Sequence, residues 1–290
     1  MLFTRFAPSP TGFLHQGHLL SALYVFAFAE IFNAKVRLRI EDHDKSRARE
    51  IYIQSIREDL SRFGFSFYSE SIQSKRNAIY EKYFNDLKSK NLIYPCSCSR
   101  KELAFQNPKN KEGEIIYQGK CLKNPPHDLK NVAYRIQLPN KTVTWKDFRF
   151  GTTEEIPKEQ CGDFIILDKD KQWTYQFAVT ADDFEENISF IVRGEDLYFS
   201  SARQILLAEI LGRKTKPEFF HHPLLYEPNG IKLSKREHSE SLRALLEQGN
   251  FCESILGAVC HQAKIIEENK EISLNDAISE TKKQIQKYLH

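Results

Sequence analysis

The spacing of apolar positions changes period several times along the chain, and the changes lay out an α/β order. Residues 2–6 (LFTRF) form a short strand-like run, closed by Pro8-Ser9-Pro10-Thr11-Gly12, which cannot continue a strand. From 16 to 33 the spacing is helical, with Leu19, Leu20, Leu23, Phe26 and Ala27 on one face. Val36, Leu38 and Ile40 then alternate, as in a second strand, so residues 2–40 predict a βαβ unit. Helical spacing returns at 45–63 through Ile53, Ile56, Leu60 and Phe63, and a third helix is expected at 74–90.

Between 96 and 160 the pattern breaks. Cysteines, Asn-Pro, Pro-Pro and Gly-Lys pairs and short alternating runs such as 132–138 predict an inserted β-rich lobe. Residues 164–167 and 188–192 regain buried-strand character, and a helix follows at 200–212. The expected division is a catalytic domain in two halves, 1–95 and 161–225, a connective lobe at 96–160, and a C-terminal region at 226–290 with two or three helices.

Composition changes this picture little. The 290 residues can bury a large core in more than one lobe, and 42 basic against 39 acidic residues leave a charge of +3, too small to point to a nucleic-acid partner. No run of about 18 apolar residues appears, and the start enters a strand rather than a signal-peptide pattern, so a cytoplasmic protein without a membrane partner is expected. Six cysteines in such a chain are expected to be thiols or metal ligands rather than disulfides.

Two distant stretches carry the candidate chemistry. His15-Gln16-Gly17-His18 opens the first helix, and Lys232-Leu233-Ser234-Lys235-Arg236 lies near the end. Amides at a helix start attract phosphate, and Gly17 allows close approach to the backbone. His15 and His18 add imidazole donors, and Lys235 can place a positive charge on a departing pyrophosphate. Brought together, they describe an ATP site; apart, they are a capped helix start and a solvated basic loop.

With the flanking PSPTG, this pair resembles the two signature motifs of class I aminoacyl-tRNA synthetases of the glutamyl type. Further segments in the same order are Arg5-Phe6-Ala7-Pro8-Ser9-Pro10, Gly162-Asp163-Phe164-Ile165-Ile166, Tyr175-Gln176 and Val192-Arg193-Gly194-Glu195-Asp196-Leu197. The resemblance implies a Rossmann-like α/β catalytic domain with a β-containing, zinc-bearing insertion and a short helical C-terminal region. Only residues 237–290 follow Arg236, less than a full glutamyl synthetase carries there, so the chain is more similar to the truncated glutamyl-Q branch, which attaches glutamate to queuosine in the anticodon of tRNA(Asp). One departure is His18, where many of that branch have a small residue. The resemblance further implies catalytic roles for His15, His18, Lys232 and Lys235, and ATP contacts from His15, Gly17, His18 and Lys235, with Mg2+ accompanying the nucleotide.

The amino-acid pocket must hold a dianion, and arginine suits this because its planar fork pairs with carboxylates. Arg5 and Arg193 sit at strand ends, the edge where open α/β sheets bind ligands. Glu41 and Tyr175 are candidates for the substrate ammonium, although Glu41 in Ile40-Glu41-Asp42-His43-Asp44 reads equally as a solvated acidic turn and His43 as a surface or capping residue. The resemblance places Arg5, Ala7, Ser9, Glu41, Tyr175 and Arg193 around L-glutamate. Cys96-Ser97-Cys98 and Tyr117-Gln118-Gly119-Lys120-Cys121 offer three thiolates and a phenol for a tetrahedral ion, or else scattered buried thiols. In the resembling branch the positions matching Cys96, Cys98, Tyr117 and Cys121 ligate one structural zinc. Cys161, Cys252 and Cys260 read as buried thiols. The expected reaction is glutamyl-adenylate formation and transfer to a tRNA(Asp) anticodon stem-loop by a monomer. Alternatives are a compact glutamyl-tRNA synthetase charging a 3′ end, a nucleotidyltransferase and a silent RNA-binding paralogue.

Overall fold

The computed structural model describes residues 1–226 and 240–289. The βαβ start is present: β1 (Phe3–Phe6), α1 (Gln16–Ile31) and β2 (Lys35–Ile40), with β1 and β2 parallel and Arg5 opposite Arg37. α1 differs from its expected single face. Ala22, Tyr24, Val25, Phe28 and Ala29 are buried as well, because the helix lies between the strands and later helices. A helix apolar all round is one buried all round.

The second helix, α2 (Glu50–Arg62), starts later than its periodicity suggests. Asp44 draws residues 44–47 into a turn, accepting from the Ser46 amide at 3.1 Å, the Ser46 hydroxyl at 2.6 Å and Arg47 Nε at 2.6 Å. β3 (Ser69–Ile72) adds a parallel strand to β2, and α3 (Asn77–Ser89) follows a short 3₁₀ turn.

β4 (Ile93–Cys96) enters the region expected to be a β-rich insertion. Its first part carries two short helices, α4 (Arg100–Gln106) and α5 (Lys120–Lys123). The strands come after, as β5 (Ala133–Ile136), β6 (Val143–Asp147) and β7 (Gly151–Glu155), followed by α6 (Pro157–Cys161) and β8 (Ile165–Leu167). They hydrogen-bond across position 160. β5 lies between β4 and β8, and β6 runs parallel to β10 (Glu218–His222), which pairs with β9 (Phe190–Gly194) in the order β7-β6-β10-β9. Val143, Trp145 and Asp147 are buried on β6 in alternation with exposed Thr144 and Lys146.

α7 (Tyr175–Glu185) and α8 (Ser201–Ile210) cover one side of that sheet. The two sheet regions meet where the Ser189 amide donates to the Phe3 carbonyl at 2.8 Å. On the other side α1 packs against α10 (Cys252–Gln262) and α11 (Leu274–Gln286), which follow α9 (Leu242–Glu247). Among the described residues, three helices thus occupy the C-terminal region. No helix among the described residues is long and apolar enough to cross a membrane.

Candidate active site and thiol cluster

The carboxyl ends of β1, β2 and β9 and the start of α1 surround one cleft of about 530 Å³. Arg5, Ala7, Ser9, Glu41, Tyr175 and Arg193 all line it, as do His15, Gly17 and His18. Parallel strands direct the residues after their carboxyl ends to one edge, which is how positions from 5 to 193 converge. Lys232 and Lys235 lie outside the described residues. The described chain on either side reaches the cleft, since Leu225 lines it and Ser241 bridges to His15.

At the α1 start the two histidines cap the helix. His15 Nδ1 accepts from the Gly17 amide and His18 Nδ1 from the His15 amide, both at 3.1 Å, with the rings 3.9 Å apart. Each neutral ring therefore carries its proton on Nε2, the donor needed for a phosphate oxygen. A Cβ on Gly17 would meet His15 Cε1 at 2.9 Å, so this glycine makes room for the His15 imidazole.

The amino-acid end of the cleft has buried charges in unequal settings. Arg5 Nε pairs with Asp183 at 3.0 Å. Arg39 Nη1 lies 2.7 Å from the same carboxylate, off the hydrogen-bonding line, and its Nη2 meets Glu186 at 2.6 Å. Burial raises the Asp183 carboxyl, but Arg5 and Arg39 outweigh it and hold the group at about 2. Neighbouring Asp182 accepts from Gln73, Arg76 and Tyr80 and is shifted upward by burial.

Arg193 is different. Its Nε donates to His221 Nε2 at 3.0 Å, Nη1 to Gln204 Oε1 at 2.7 Å and Nη2 to Ser201 Oγ at 2.8 Å. Among the described residues no carboxylate forms an ion pair with it, and burial lowers its pKa. Glu41 is no solvated turn. It is buried, and that burial pushes its carboxyl up to about 7. His43, half-buried, also lines the cleft, its Nδ1 2.8 Å from Gln73 Oε1.

The candidate thiol site is separate from the cleft. Sγ atoms of Cys96, Cys98 and Cys121 lie within 4.8 Å of one another, Cys98 and Cys121 at 3.4 Å. Tyr117 Oη is 3.7 Å from Cys96 Sγ and 4.0 Å from Cys98 Sγ, and accepts from the Cys121 amide at 2.8 Å. A tetrahedron with arms of about 2.3 Å has edges of about 3.8 Å, so these donors suit a thiophilic ion. Burial raises the Cys121 thiol, but hydrogen bonds from Tyr117 and Cys98 bring it down to about 7, while Cys98 is pushed up to about 12. Gly162, at φ +66°, brings the cluster against the sheet, since a Cβ there would lie 2.1 Å from the Tyr117 carbonyl oxygen. All six cysteines are free thiols. Cys161 and Cys260 are buried as expected, whereas Cys252 at the start of α10 is half-exposed.

Residues 1–288 match the family described as tRNA synthetases class I (E and Q), catalytic domain. The chain belongs to that family. It is 39% identical over 242 residues to the Glutamyl-Q tRNA(Asp) synthetase of Neisseria meningitidis serogroup C, covering 82% of this chain and 81% of that protein. It is 36% identical over 267 residues to the Glutamate--tRNA ligase of Aquifex aeolicus, covering 89% of this chain but 56% of the ligase. Among solved structures, the glutamate-tRNA synthetase of Elizabethkingia anophelis superposes with a TM-score of 0.78 at 26% identity, over 97% of this chain and 66% of that one. A glutamate tRNA ligase from Elizabethkingia meningosepticum, described as in complex with its amino acid, gives 0.77 at 26% identity, over 97% and 65%. The chain spans about two thirds of the length of these two structures. Its Rossmann-like α/β fold is that of the family.

The sequence reading missed Asp183, which pairs with Arg5, Arg39 and Glu186, which extend that network, and Ser201, Gln204 and His221, which hold Arg193. None has a local motif. Only the pairing of β9 with β10 brings His221 opposite Arg193.

Proposed function

We propose that this chain activates L-glutamate with ATP and transfers the glutamyl group to queuosine in the anticodon of tRNA(Asp). The observation that carries the first step is Arg193, a buried guanidinium without an ion-pair carboxylate among the described residues, in the same cleft as the His15 and His18 helix start. Arg193 and Arg5 receive the side-chain carboxylate, and Glu41 and Tyr175 the ammonium. Ala7 and Ser9 complete the wall.

An oxygen of the glutamate α-carboxylate attacks the α-phosphorus of ATP, the bond from that phosphorus to the bridging oxygen breaks, and pyrophosphate leaves with the electron pair. Catalysis is positioning and charge stabilisation. His15 and His18 donate from Nε2, the Gly17 region of α1 presents its helix start, and Lys232 and Lys235 act on the departing phosphates. Mg2+, when bound with ATP, neutralises charge on the phosphate oxygens. In the second step a queuosine ring hydroxyl attacks the glutamyl carbonyl carbon, its proton passes to a phosphate oxygen of the adenylate, and the carbonyl carbon's bond to the phosphate oxygen breaks, AMP leaving with the electron pair.

The acceptor assignment is supported by alignment across 81% of a protein named for glutamyl-Q and tRNA(Asp). Charging of a tRNA 3′ end is the second reading, favoured by 36% identity to the Aquifex ligase. In the reading preferred here the chain acts as a monomer, with 96–160 connecting catalytic halves 1–95 and 161–225 ahead of the C-terminal region 226–290. One structural zinc is held by Cys96, Cys98, Cys121 and Tyr117, away from the chemistry. The test is transfer of labelled glutamate to a tRNA(Asp) anticodon stem-loop. The stem-loop bearing queuosine is expected to accept and the one bearing guanosine is not; label on the terminal adenosine of tRNA(Glu) instead would establish the second reading.

A further inference from the structure

We propose that Gln204, Ser201 and His221 set amino-acid specificity by holding Arg193 through neutral acceptors alone, so that its positive charge is left for the carboxylate side chain of the substrate. This rests on the reading that the cleft takes glutamate, and it adds the residues that make the preference.

The three acceptors engage every nitrogen of the guanidinium: His221 Nε2 at 3.0 Å from Nε, Gln204 Oε1 at 2.7 Å from Nη1 and Ser201 Oγ at 2.8 Å from Nη2. The orientation is therefore fixed as firmly as a carboxylate would fix it, without cancelling the charge. Arg5, by contrast, is matched by Asp183.

His221 accepts because Asp147 holds its tautomer. Asp147 Oδ2 lies 2.7 Å from His221 Nδ1 and takes the His221 amide at 3.1 Å, so the ring proton sits on Nδ1 and the Nε2 lone pair faces Arg193. Burial holds the imidazole at about 4, neutral at ordinary pH. Asp147, His221 and Ser201, with Oγ 3.2 Å from Nε2, superficially resemble a nucleophile triad. Arg193 Nε–H already occupies the lone pair that would take the serine proton, so the array orients a cation rather than activating a hydroxyl.

Gln204 has its own support. Its Nε2 donates to Gln176 Oε1 at 2.8 Å, and Gln176 Nε2 donates to Ser200 Oγ at 3.0 Å, which sets the amide oxygen of Gln204 toward Arg193. Glutamate at 204 would put a carboxylate in the same place, and the Gln176 amide can turn to donate to it. Arg193 would then be matched within the protein, and a substrate carboxylate would meet a neutral pair. All three are positioning residues, acting through Arg193.

The experiment compares glutamate and glutamine in ATP–pyrophosphate exchange by the full chain and its Gln204→Glu, Gln204→Met and Ser201→Asp variants. The wild type is expected to prefer glutamate by about 10²-fold or more in kcat/KM. Gln204→Glu should reduce that ratio at least about 10-fold, and Ser201→Asp, at the start of α8, should do the same through Nη2. Gln204→Met, which removes an acceptor without adding charge, should raise KM for glutamate while keeping most of the ratio. A glutamate-selective wild type whose ratio is unmoved in both acidic variants overturns the proposal alone, as does a ratio that collapses equally in Gln204→Met. A wild type with equal rates for the two amino acids overturns the glutamate reading and this inference with it.

Discussion

The two sheet regions that meet at β1 and β9 treat buried arginine in opposite ways. On the β1 and β2 side, Arg5 and Arg39 share Asp183, and Arg39 continues to Glu186. On the β9 and β10 side, Arg193 is held by an imidazole, an amide and a hydroxyl. The difference separates two tasks. A guanidinium matched by a carboxylate is held rigidly and offers a ligand only its remaining N–H donors, whereas one oriented by neutral dipoles keeps its charge for an anion. Maintaining the second arrangement has an energetic cost, because a buried charge is stabilised only in part by neutral hydrogen bonds, and a bound carboxylate would offset it.

The largest effect should come from removing the receptor. Arg193→Ala is expected to lower kcat/KM for glutamate in pyrophosphate exchange by about 10³-fold, the scale of losing a buried charged hydrogen-bonded pair, with a much smaller loss for glutamine. Similar losses for both amino acids would erase the contrast between the two sides.

Breaking the matched side should act on stability first. Asp183→Asn leaves Arg5 buried without its anion, and the chain is expected to lose about 3 kcal/mol in urea unfolding at pH 7. Because the Asp183 carboxyl is depressed to about 2 in the fold, its contribution is present above the ordinary value near 3.8 and is lost as pH falls toward 2. The variant's deficit should therefore shrink over that window. A deficit that stays constant from pH 7 to pH 2.5 would show that the ion pairs are not what stabilises this side.

Glu41 sharpens the comparison from the opposite sign. Its folded value is raised to about 7, so its contribution is full below about 4.5 and is lost as pH rises through 7. Glu41→Gln should be more stable than wild type at pH 8 by at most about 3 kcal/mol, and equal to it near pH 4.5, while glutamate-dependent exchange falls. Loss of stability at pH 8 would mean that the carboxylate is matched in the free protein.

The thiol cluster supplies the smallest effect on the cleft. Cys98→Ser should reduce bound zinc, measured by elemental analysis on native protein, and lower the protease resistance of residues 97–132, with exchange changed less than about threefold. An equal collapse of exchange would tie the cluster to the active site.

Much of this was legible because the carriers were local. Alternation at Val36, Leu38 and Ile40, the helix-opening His15-Gln16-Gly17-His18 and the two short pairs Cys96-Ser97-Cys98 and Tyr117 to Cys121 are each set within a few residues. The rest depended on tertiary pairing. β6 lies in a stretch with no motif of its own and becomes a partner of β10 only through a long-range parallel contact. Glu41 reads as one acid among several, and its burial follows from Arg5 and Asp183 arriving from other strands and helices. His221 carries no signal, since a histidine in Phe219-Phe220-His221-His222 is indistinguishable from a core residue until Arg193 lies opposite it.

The most direct test of the account is the ratio of glutamate-dependent to glutamine-dependent ATP–pyrophosphate exchange by the unmodified chain. A positive charge left uncompensated at Arg193 predicts a ratio of about 10² or more in favour of glutamate at pH 7.5. Equal rates would contradict it, because a cleft that accepts the neutral amide as readily as the carboxylate has no uncompensated cation in it.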